Sequence, residues 1–218
     1  MTPPDPWPLR HLVLRTPRLE LRPDDDAGLF ELAEEACLGI HPPETMPFST
    51  AWTDVSPEER GLATLRWHWE SRAGVRPERW NLHFLVRFDG RVVGLQAVGA
   101  VDFAVTREVE TGSWLGRRHQ QRGIGTEMRA AVLLFAFDHL GATRARSGAF
   151  LDNAASLRVS EKLGYHRDGT DIYARRGTRA ENARLVVTPA DFRRPDWTLH
   201  VDGLAACHPM LEANRHGD

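Results

Sequence analysis

Residues 116–126 form the segment whose residue types and spacing are best suited to chemistry; they read GRRHQQRGIGT. The segment lies between a predicted strand and a predicted helix, and its glycines let the backbone approach a ligand closely. The free N–H groups of a helix's first turn, with the positive end of the helix dipole, favour a bound anion. Arg117, Arg118 and Arg122 add positive charge. The segment therefore predicts a ligand that carries phosphate, without identifying it.

Three other interpretations compete for this glycine-rich segment. A P-loop needs Gly-Lys-Ser/Thr, and the single lysine of the chain is Lys162, so a P-loop is excluded. A dinucleotide fingerprint, as in a nicotinamide-dependent oxidoreductase, needs a third glycine where Met128 stands, and no clear acidic partner follows. A tight strand-to-helix turn on a basic surface stays open on these residues alone.

Composition limits the class of protein. The 218 residues carry 28 basic and 30 acidic side chains and are 41% apolar, which suits one sizeable domain without a broad nucleic-acid surface. Cys37 and Cys207 are expected to be reduced, and we expect a cytoplasmic protein because the first ten residues lack an apolar signal core. The longest apolar run, Ala130–Phe137, is too short for a membrane span. The ten histidines show no metal-ligand spacing, so we expect no metal.

The elements that must position this segment follow from periodicity and turn signals. Asp89-Gly90 predicts a hairpin turn, and Ser56-Pro57-Glu58-Glu59 predicts a capped helix start. Antiparallel strands followed by a strand–helix–strand–helix unit predict an α/β domain with a mixed sheet. The predicted strands cover residues 12–14, 19–21, 82–88, 92–98, 108–115, 145–151, 165–174 and 183–187, and the predicted helices cover residues 24–36, 56–74, 123–140 and 153–163.

The order of four motifs resembles the Gcn5-related N-acetyltransferase (GNAT) superfamily. Gln120-x-x-Gly123-x-Gly125 resembles the family's acyl-CoA pyrophosphate loop, and Glu110-Thr-Gly-Ser-Trp-Leu115 resembles its fourth strand. Asn153-x-x-Ser156 with residues 158–165 resembles the exit of the fifth strand and the fourth helix. The opening LRTPRLELRP, residues 14–23, is similar to the RimJ/RimL-like branch of actinobacterial or mycobacterial type. The resemblance covers about residues 10–190 of a single acyltransferase domain, 1–218, and leaves residues 191–218 as a C-terminal extension.

The resemblance implies a GNAT fold, in which helices flank a mixed central sheet and the parallel strands 4 and 5 are splayed. Here those strands are residues 108–115 and 145–151, and the pantetheine arm of the acyl-CoA co-substrate would lie between them. Backbone groups near Trp114 would bind pantetheine, and the N–H groups of residues 121–126 would cradle the pyrophosphate. The full implied cofactor set is Trp114, Leu115, Gly116, Arg117, Gln120, Gln121, Arg122, Gly123, Ile124, Gly125, Thr126, Asn153 and Ser156.

Two residues are candidates for the chemistry itself. Glu110 matches the family's strand-four acid and is the candidate general base, acting through water, with Glu108 on the same face of the strand. A cross-strand charge pair is the alternative for both. Ser156 is the candidate hydrogen-bond donor to the thiolate, with helix capping as its alternative, because Ser160 stands where many members have a tyrosine. Tyr165 is expected to pack in the core.

The implied activity is transfer of an acyl group from a CoA thioester to a primary amine. Acetyl is the default acyl group, and succinyl stays open because arginines and histidines are frequent near the predicted site. The acceptor could be a protein N-terminus, a lysine or a small molecule, held by the proline-rich segment 39–54 with His41, Met46, Phe48 and Trp52. A non-catalytic acyl-CoA sensor of the same fold is the alternative. By analogy with the family we expect a homodimer or higher homo-oligomer, and no nucleic-acid or membrane partner.

Overall fold

The computed structural model describes residues 5–23 and 25–212. Its strands are β1 (Val13–Arg15), β2 (Leu19–Arg22), β3 (Arg79–Phe88), β4 (Arg91–Val101), β5 (Glu108–Leu115), β6 (Arg144–Phe150), β7 (His166–Arg175), β8 (Thr178–Val187) and β9 (His200–Asp202). Its helices are α1 (Asp26–Leu38), α2 (Pro57–Ala73), α3 (Phe103–Thr106), α4 (Ile124–Leu134), α5 (Ala154–Lys162) and α6 (Leu204–Leu211). Asp24, the predicted start of the first helix, lies outside the described residues.

The strands form one mixed sheet in the order β7-β8-β6-β5-β4-β3-β2-β1-β9. The β5–β6 pair is parallel, and all other pairs among the described strands are antiparallel. The mixed α/β sheet expected from the sequence is thereby confirmed. The one parallel pair lies where the chain passes from β5 through α4 to β6, a crossover that brings the second strand back beside the first.

Local signals set the ends of the elements close to their predicted positions. Asp89 and Gly90 have φ of 51° and 78°, the left-handed backbone of a tight turn between β3 and β4. Ser56 and Glu59 form the predicted capping box at the start of α2. The predicted helix 123–140 is correct in extent but not uniform, because residues 135–139 form a π-helical turn after α4. Leu140 there donates to the carbonyl of Phe135, at 3.1 Å.

Two apolar cores lie on opposite faces of the sheet. The larger core contains the buried side of α4, and the smaller core contains α1 and Trp114. Side chains of a strand alternate between faces, so Val109 faces the α4 side while Glu108 and Glu110 face the α1 side with Trp114. The two faces of β5 therefore present different chemistry.

The described part of the C-terminal extension packs on this sheet. Strand β9 pairs with β1, and Cys207 and Leu211 of α6 are buried in the larger core. The indole Nε1 of Trp80 donates to the carbonyl of Leu211, at 3.1 Å. Cys37 and Cys207 are both free thiols. None of the helices in residues 5–23 and 25–212 is long and apolar enough to cross a membrane.

Candidate active site

The candidate site begins where β5 and β6 stop pairing. The parallel ladder covers residues 108–110 of β5 against residues 144–146 of β6, although β5 runs on to Leu115 and β6 to Phe150. Beyond it, hydroxyl groups replace the ladder: Thr111 Oγ1 donates to the carbonyl of Arg146 at 3.1 Å, and Ser147 Oγ donates to the carbonyl of Thr111 at 3.0 Å. The predicted splaying of the two parallel strands is therefore present, and it starts at Thr111.

The direction of the β5 backbone decides which polar groups face this gap. The Gly116 N–H donates to the Val93 carbonyl at 2.9 Å, and the Gly116 carbonyl accepts from the His119 backbone N–H at 2.9 Å. Neighbouring residues of a strand point their backbone groups to opposite edges, so Trp114 faces β4 whereas Ser113 and Leu115 face the gap. The prediction that Gly116 and Trp114 offer backbone groups to pantetheine is wrong because both face β4. The Leu115 carbonyl accepts from Gln120 Nε2 at 3.0 Å, so its N–H is the backbone group left to face the gap, and its role in binding pantetheine stays a prediction.

The loop before α4 offers a run of unpaired donors. The Gln120 N–H donates to the Arg117 carbonyl. The N–H groups of Thr126 and Glu127 both donate to the Gly123 carbonyl. Between them, the backbone N–H groups of residues 121–125 have no hydrogen-bond acceptor in the described part of the chain. Gln121 and Gly123 have φ of 61° and 79°, a left-handed geometry that turns successive N–H groups outward. The arrangement suits a phosphate group, as the segment's sequence predicts.

Two exposed polar side chains of the loop, those of Arg118 and Gln120, bond other parts of the protein. Gln120 Nε2 bonds the carbonyls of Ile40, at 2.7 Å, and Leu115. Arg118 pairs with Glu35 of α1, which is 3% exposed, and this contact raises the pKa of the guanidinium. The Arg117 N–H bonds the carbonyl of Gly39 at 3.0 Å. Arg118 therefore anchors the loop to α1, and Gln120 anchors it to the segment that follows α1.

The loop is also held from the first hairpin, by residues that sequence reasoning did not assign a role. Thr16 Oγ1 and Arg18 Nε bond the two carboxylate oxygens of Glu127, both at 2.6 Å. Arg18 Nη1 also donates to the carbonyl of Arg122 at 3.3 Å. Glu127 is 8% exposed and lies in the first turn of α4, where the helix dipole favours a carboxylate. The T-P-R run within LRTPRLELRP was the available signal.

Glu108 and Glu110 have different surroundings, although they share a face of β5. Glu108 bonds Arg146 at 2.5 Å and Arg144 at 3.4 Å, and the contact raises the pKa of Arg146. Glu108 therefore forms the cross-strand charge pair that is the alternative role for both glutamates. Glu110 is exposed and makes no hydrogen bond or ion pair with any described residue. Its carboxylate is available to a substrate or to water.

Helix α5 places the two predicted residues at its start. The Asn153 Oδ1 accepts the Ser156 N–H at 3.2 Å, so Asn153 is the N-cap, and the capping alternative for the Ser156 hydroxyl is wrong. The Ser156 side chain is half-buried and makes no hydrogen bond to the described residues. Ser160 is 1% exposed, and its hydroxyl lacks a partner among those residues. Tyr165 is buried as expected; its hydroxyl lies 3.0 Å from Thr111 Oγ1, and burial raises its pKa.

Three aromatic side chains form a wall on the α1 side of the site. Phe48, Trp52 and Trp114 pack in series, with ring centroids 5.2 Å and 6.0 Å apart. The segment that carries Phe48 and Trp52 is tied to the β7–β8 hairpin, because Arg175 Nη1 bonds the Met46 carbonyl at 3.1 Å and Arg176 Nε bonds Asp54 at 2.6 Å. The described residues contain no cluster of His, Cys, Asp or Glu side chains that could hold a metal ion.

Comparison with known proteins agrees with this geometry. The sequence profile of the acetyltransferase (GNAT) domain matches residues 12–166. The chain is similar to a protein of Bacillus subtilis (strain 168) named probable N-acetyltransferase YjcK, with 28% identity over 94 residues, 43% of this chain and 52% of that protein. The match thus spans about half the length of this curated relative.

Two solved structures share the fold. Mycobacterium smegmatis RimJ in complex with CoA-disulfide has a TM-score of 0.71 and 19% identity, over 92% of this chain and 94% of that one. The spermidine N-acetyltransferase of Vibrio cholerae, solved with CoA and spermine, has a TM-score of 0.60 and 15% identity, over 81% and 98% of the two chains. At these identities, the two likenesses show a shared fold. Because the domain profile matches most of its length, the chain belongs to the GNAT acetyltransferase family.

Proposed function

We propose that the protein transfers an acetyl group from acetyl-CoA to a primary amine. The observation that carries the proposal is the run of unpaired N–H groups at residues 121–125, next to the point where β5 and β6 separate. A pyrophosphate on the loop would let the pantetheine arm enter the gap, where the Leu115 N–H is open. Gly123, Ile124 and Gly125 are proposed to bind the pyrophosphate through their N–H groups. Thr126, contrary to expectation, does not offer its N–H, because that group donates to the Gly123 carbonyl at 3.2 Å. Arg117 and Arg122 are proposed to add positive charge beside the loop.

The proposed reaction is a direct attack. Glu110 accepts a proton from the substrate ammonium through water, and the neutral amine attacks the thioester carbonyl carbon. The new C–N bond leaves an oxyanion, which backbone N–H groups at the gap stabilise. The C–S bond then breaks as the C=O bond re-forms, the positively charged nitrogen loses a proton to give the amide, and the thiolate takes up a proton and leaves as CoA. Ser156, whose hydroxyl is uncommitted, donates a hydrogen bond to the sulfur, and Asn153 orients this end of α5.

Glu110→Gln is expected to lower kcat by about 10²–10⁴-fold, because the variant has no carboxylate to accept the proton. The KM for acetyl-CoA should change little, since Glu110 lies near the start of β5, whereas the phosphate loop follows the end of that strand. Steady-state release of CoA measures both constants. The matched control is Glu108→Gln, the same change on the same face, which should affect stability through Arg146 but leave kcat within a few-fold. Equal losses in the two variants would contradict the assignment.

Acetyl is favoured over succinyl because three arginines that could bind a second carboxylate are already paired with acidic side chains. A distal carboxylate needs a cation without an acidic partner, yet Arg146, Arg175 and Arg176 pair with Glu108, Asp152 and Asp54. These pairs leave no free guanidinium among the three. Competition between acetyl-CoA and succinyl-CoA tests this, and a lower KM for succinyl-CoA would reverse the choice.

The acceptor is proposed to be a protein N-terminus or a small-molecule amine. The aromatic wall of Phe48, Trp52 and Trp114 suits the apolar part of such a substrate, and Glu110 suits its ammonium group. The names of the relatives include an acetyltransferase for spermidine. A panel of N-terminal peptides, lysine peptides and polyamines separates these acceptors. Cytoplasmic localisation and a homo-oligomer stay predictions, the latter tested by light scattering.

The alternative of a non-catalytic acyl-CoA sensor is favoured by one observation. Ser160 occupies the position of the tyrosine that protonates the thiolate in many members, and it is buried. Thermal shift with CoA, acetyl-CoA and NADPH, followed by CoA release with the amine panel, distinguishes the two functions. Binding with turnover supports the enzyme, binding without turnover supports the sensor, and a shift with NADPH alone contradicts both.

The nucleotide end of CoA is proposed to occupy a cavity of about 230 Å³ beside the loop. Lys162 and Arg193 carry no ion pair to the described residues and are proposed to bind the 3′-phosphate of CoA. Trp197 also lines the cavity and is proposed to contact the adenine. The cavity is lined by Gly123, Thr126, Glu127, Ala130, Lys162, Leu163, Arg193, Pro195 and Trp197.

Wild-type protein is therefore expected to bind CoA about tenfold more tightly than dephospho-CoA, since a hydrogen bond to a charged group contributes about 1.5–3 kcal/mol. The double variant Lys162→Ala, Arg193→Ala should bind CoA and dephospho-CoA equally tightly, because it lacks the cations proposed to bind the 3′-phosphate. Calorimetric titration measures both affinities. Arg91→Ala, an exposed arginine at the β3–β4 turn, is the control and should keep the preference. A preference retained in the double variant would place the 3′-phosphate elsewhere.

A further inference from the structure

Arg129 of α4 is a buried cation without an anion. Its side chain is 3% exposed, and none of its nitrogen atoms lies within 4.0 Å of a carboxylate among the described residues. It donates to three neutral oxygens, Gln96 Oε1 at 3.3 Å, Ser147 Oγ at 3.0 Å and Ser113 Oγ at 2.9 Å, and it also interacts with the buried Tyr165 hydroxyl. Burying a charge without a counter-charge costs free energy. Because no carboxylate is near, this guanidinium is stabilised by its hydrogen bonds alone. Such a group needs an explanation beyond packing.

The guanidinium spans the gap of the candidate site. Ser113 lies on β5 and Ser147 on β6, and both come after Glu110 and Arg146, the last paired residues of the two strands. One planar group therefore bonds both strands where the backbone ladder has ended. Its rigid fork fixes the separation of the strands at this point.

The two serine hydroxyls differ in what they have left to donate. Ser147 Oγ accepts from Arg129 and donates its hydrogen to the carbonyl of Thr111, so both functions are used. Ser113 Oγ accepts from Arg129, but its hydrogen has no acceptor in residues 5–23 and 25–212. Because the guanidinium occupies a lone pair of Ser113 Oγ, the O–H is turned away from Arg129 and is polarised by its charge. Ser147 is buried, whereas Ser113 is half-buried. The backbone of Ser113 faces the gap.

We infer that the Ser113 hydroxyl donates a hydrogen bond to a carbonyl oxygen of the acyl-pantetheine chain, and that Arg129 is the positioning residue that orients it. The inference rests on the proposed function, since it needs an acyl-CoA in the gap. It adds a side-chain donor to the open backbone groups of β5. No bond is made or broken in this step; the contact binds and orients the thioester.

The test is calorimetric titration of acetyl-CoA into the full-length protein and its variants, with the melting temperature of each unliganded variant. Ser113→Ala should raise the Kd for acetyl-CoA about three- to tenfold, and Ser113→Thr, which keeps the hydroxyl, should stay within twofold of wild type. Ser160→Ala is the matched control, because it removes a hydroxyl that has no partner and should not change the Kd. An unchanged Kd in Ser113→Ala, or an equal loss in Ser113→Thr, would overturn the inference.

A double-mutant cycle tests the role of Arg129. Arg129→Met should weaken acetyl-CoA binding in the wild-type background but add less than twofold in the Ser113→Ala background, because Arg129 acts through that hydroxyl. A purely structural role predicts the same loss in both backgrounds. If Arg129→Met does not fold, Arg129→Lys replaces it, since an ammonium cannot bond both strands in the same geometry. Failure of the wild type to bind acetyl-CoA would instead refute the proposed function.

Discussion

Gly125→Ala is expected to fold with unchanged or higher stability and yet to lose CoA binding by about 10–100-fold. An added Cβ would meet Leu115 Cδ1 at 3.7 Å and Val159 Cγ2 at 3.8 Å, which are ordinary contacts. Alanine in place of glycine in a helix stabilises it by about 0.5–1 kcal/mol. The methyl group would, however, stand beside the unpaired N–H groups, where a phosphate makes charge-assisted hydrogen bonds of about 1.5–3 kcal/mol each.

Thermal unfolding and calorimetric titration with CoA measure the two effects separately. Gly123→Ala is the comparison, because Gly123 has φ of 79° and its Cβ would lie 3.3 Å from Arg18 Nη2. That variant should lose both stability and binding. If Gly125→Ala bound CoA like the wild type, the segment would be a structural turn, and the site built around it would lose its basis.

Lowering the pH from 7.5 to 5 is expected to reduce the free energy of unfolding by about 4 kcal/mol through two buried histidines. Burial lowers the pKa of His68 to about 4 and that of His83 to about 3, with smaller repulsion from Arg72 and between the two imidazoles. The His83 ring stacks on Trp67, with centroids 4.0 Å apart, and neither of its nitrogens has a partner among the described residues. Asp26 opposes the shift of His68 only weakly.

The free energy of unfolding falls with pH because the unfolded chain takes up protons that the folded protein does not. Each imidazole takes up its proton near pH 6.5 in the unfolded chain but only near pH 3–4 in the folded protein. The unfolded state therefore binds more protons as the pH falls below about 6.5, and stability is lost across that range by about 2 kcal/mol per group at pH 5. Carboxyl groups titrate mostly below this range, so the histidines dominate it.

His83→Phe should halve this pH dependence and keep the stack on Trp67, because the variant removes the titrating nitrogens at similar volume. Urea unfolding at the two pH values measures the effect. His200→Ala, an exposed histidine of β9, is the control and should retain the full dependence. A His83→Phe variant with the slope of the wild type would show that His83 does not titrate in this range.

Signals confined to a few residues were predictable from the sequence. The Asp89-Gly90 turn, the Ser56–Glu59 capping box and the glycine loop before α4 depend on backbone geometry that their own residues favour. The order of strands and helices followed from periodicity, and the family followed from motifs in that order. In each case the cause lies within one turn or one element, so the sequence carries it directly.

Pairing across the fold was not predictable in the same way. The sequence placed Glu108 and Glu110 on one face, but only the position of β6 gave Glu108 its arginines and left Glu110 unpaired. The bond from Arg18 to Glu127 joins residues 109 positions apart. The backbone direction that turns Gly116 towards Val93 depends on the register of β4 against β5. None of these has a local signature.

The sequence by itself determined that an anion-binding loop precedes a helix, that the chain forms a mixed α/β sheet, and that an acidic residue stands on the strand before the loop. Only the tertiary structure decided which donors stay free, because a hydrogen-bonding group is used or unused according to what packs against it. Arg118 precedes α4 and Arg129 lies in the middle of it, yet one arginine anchors the loop through Glu35 and the other lies buried across the gap. Burial and partner, which arise from contacts distant in sequence, set the function of each.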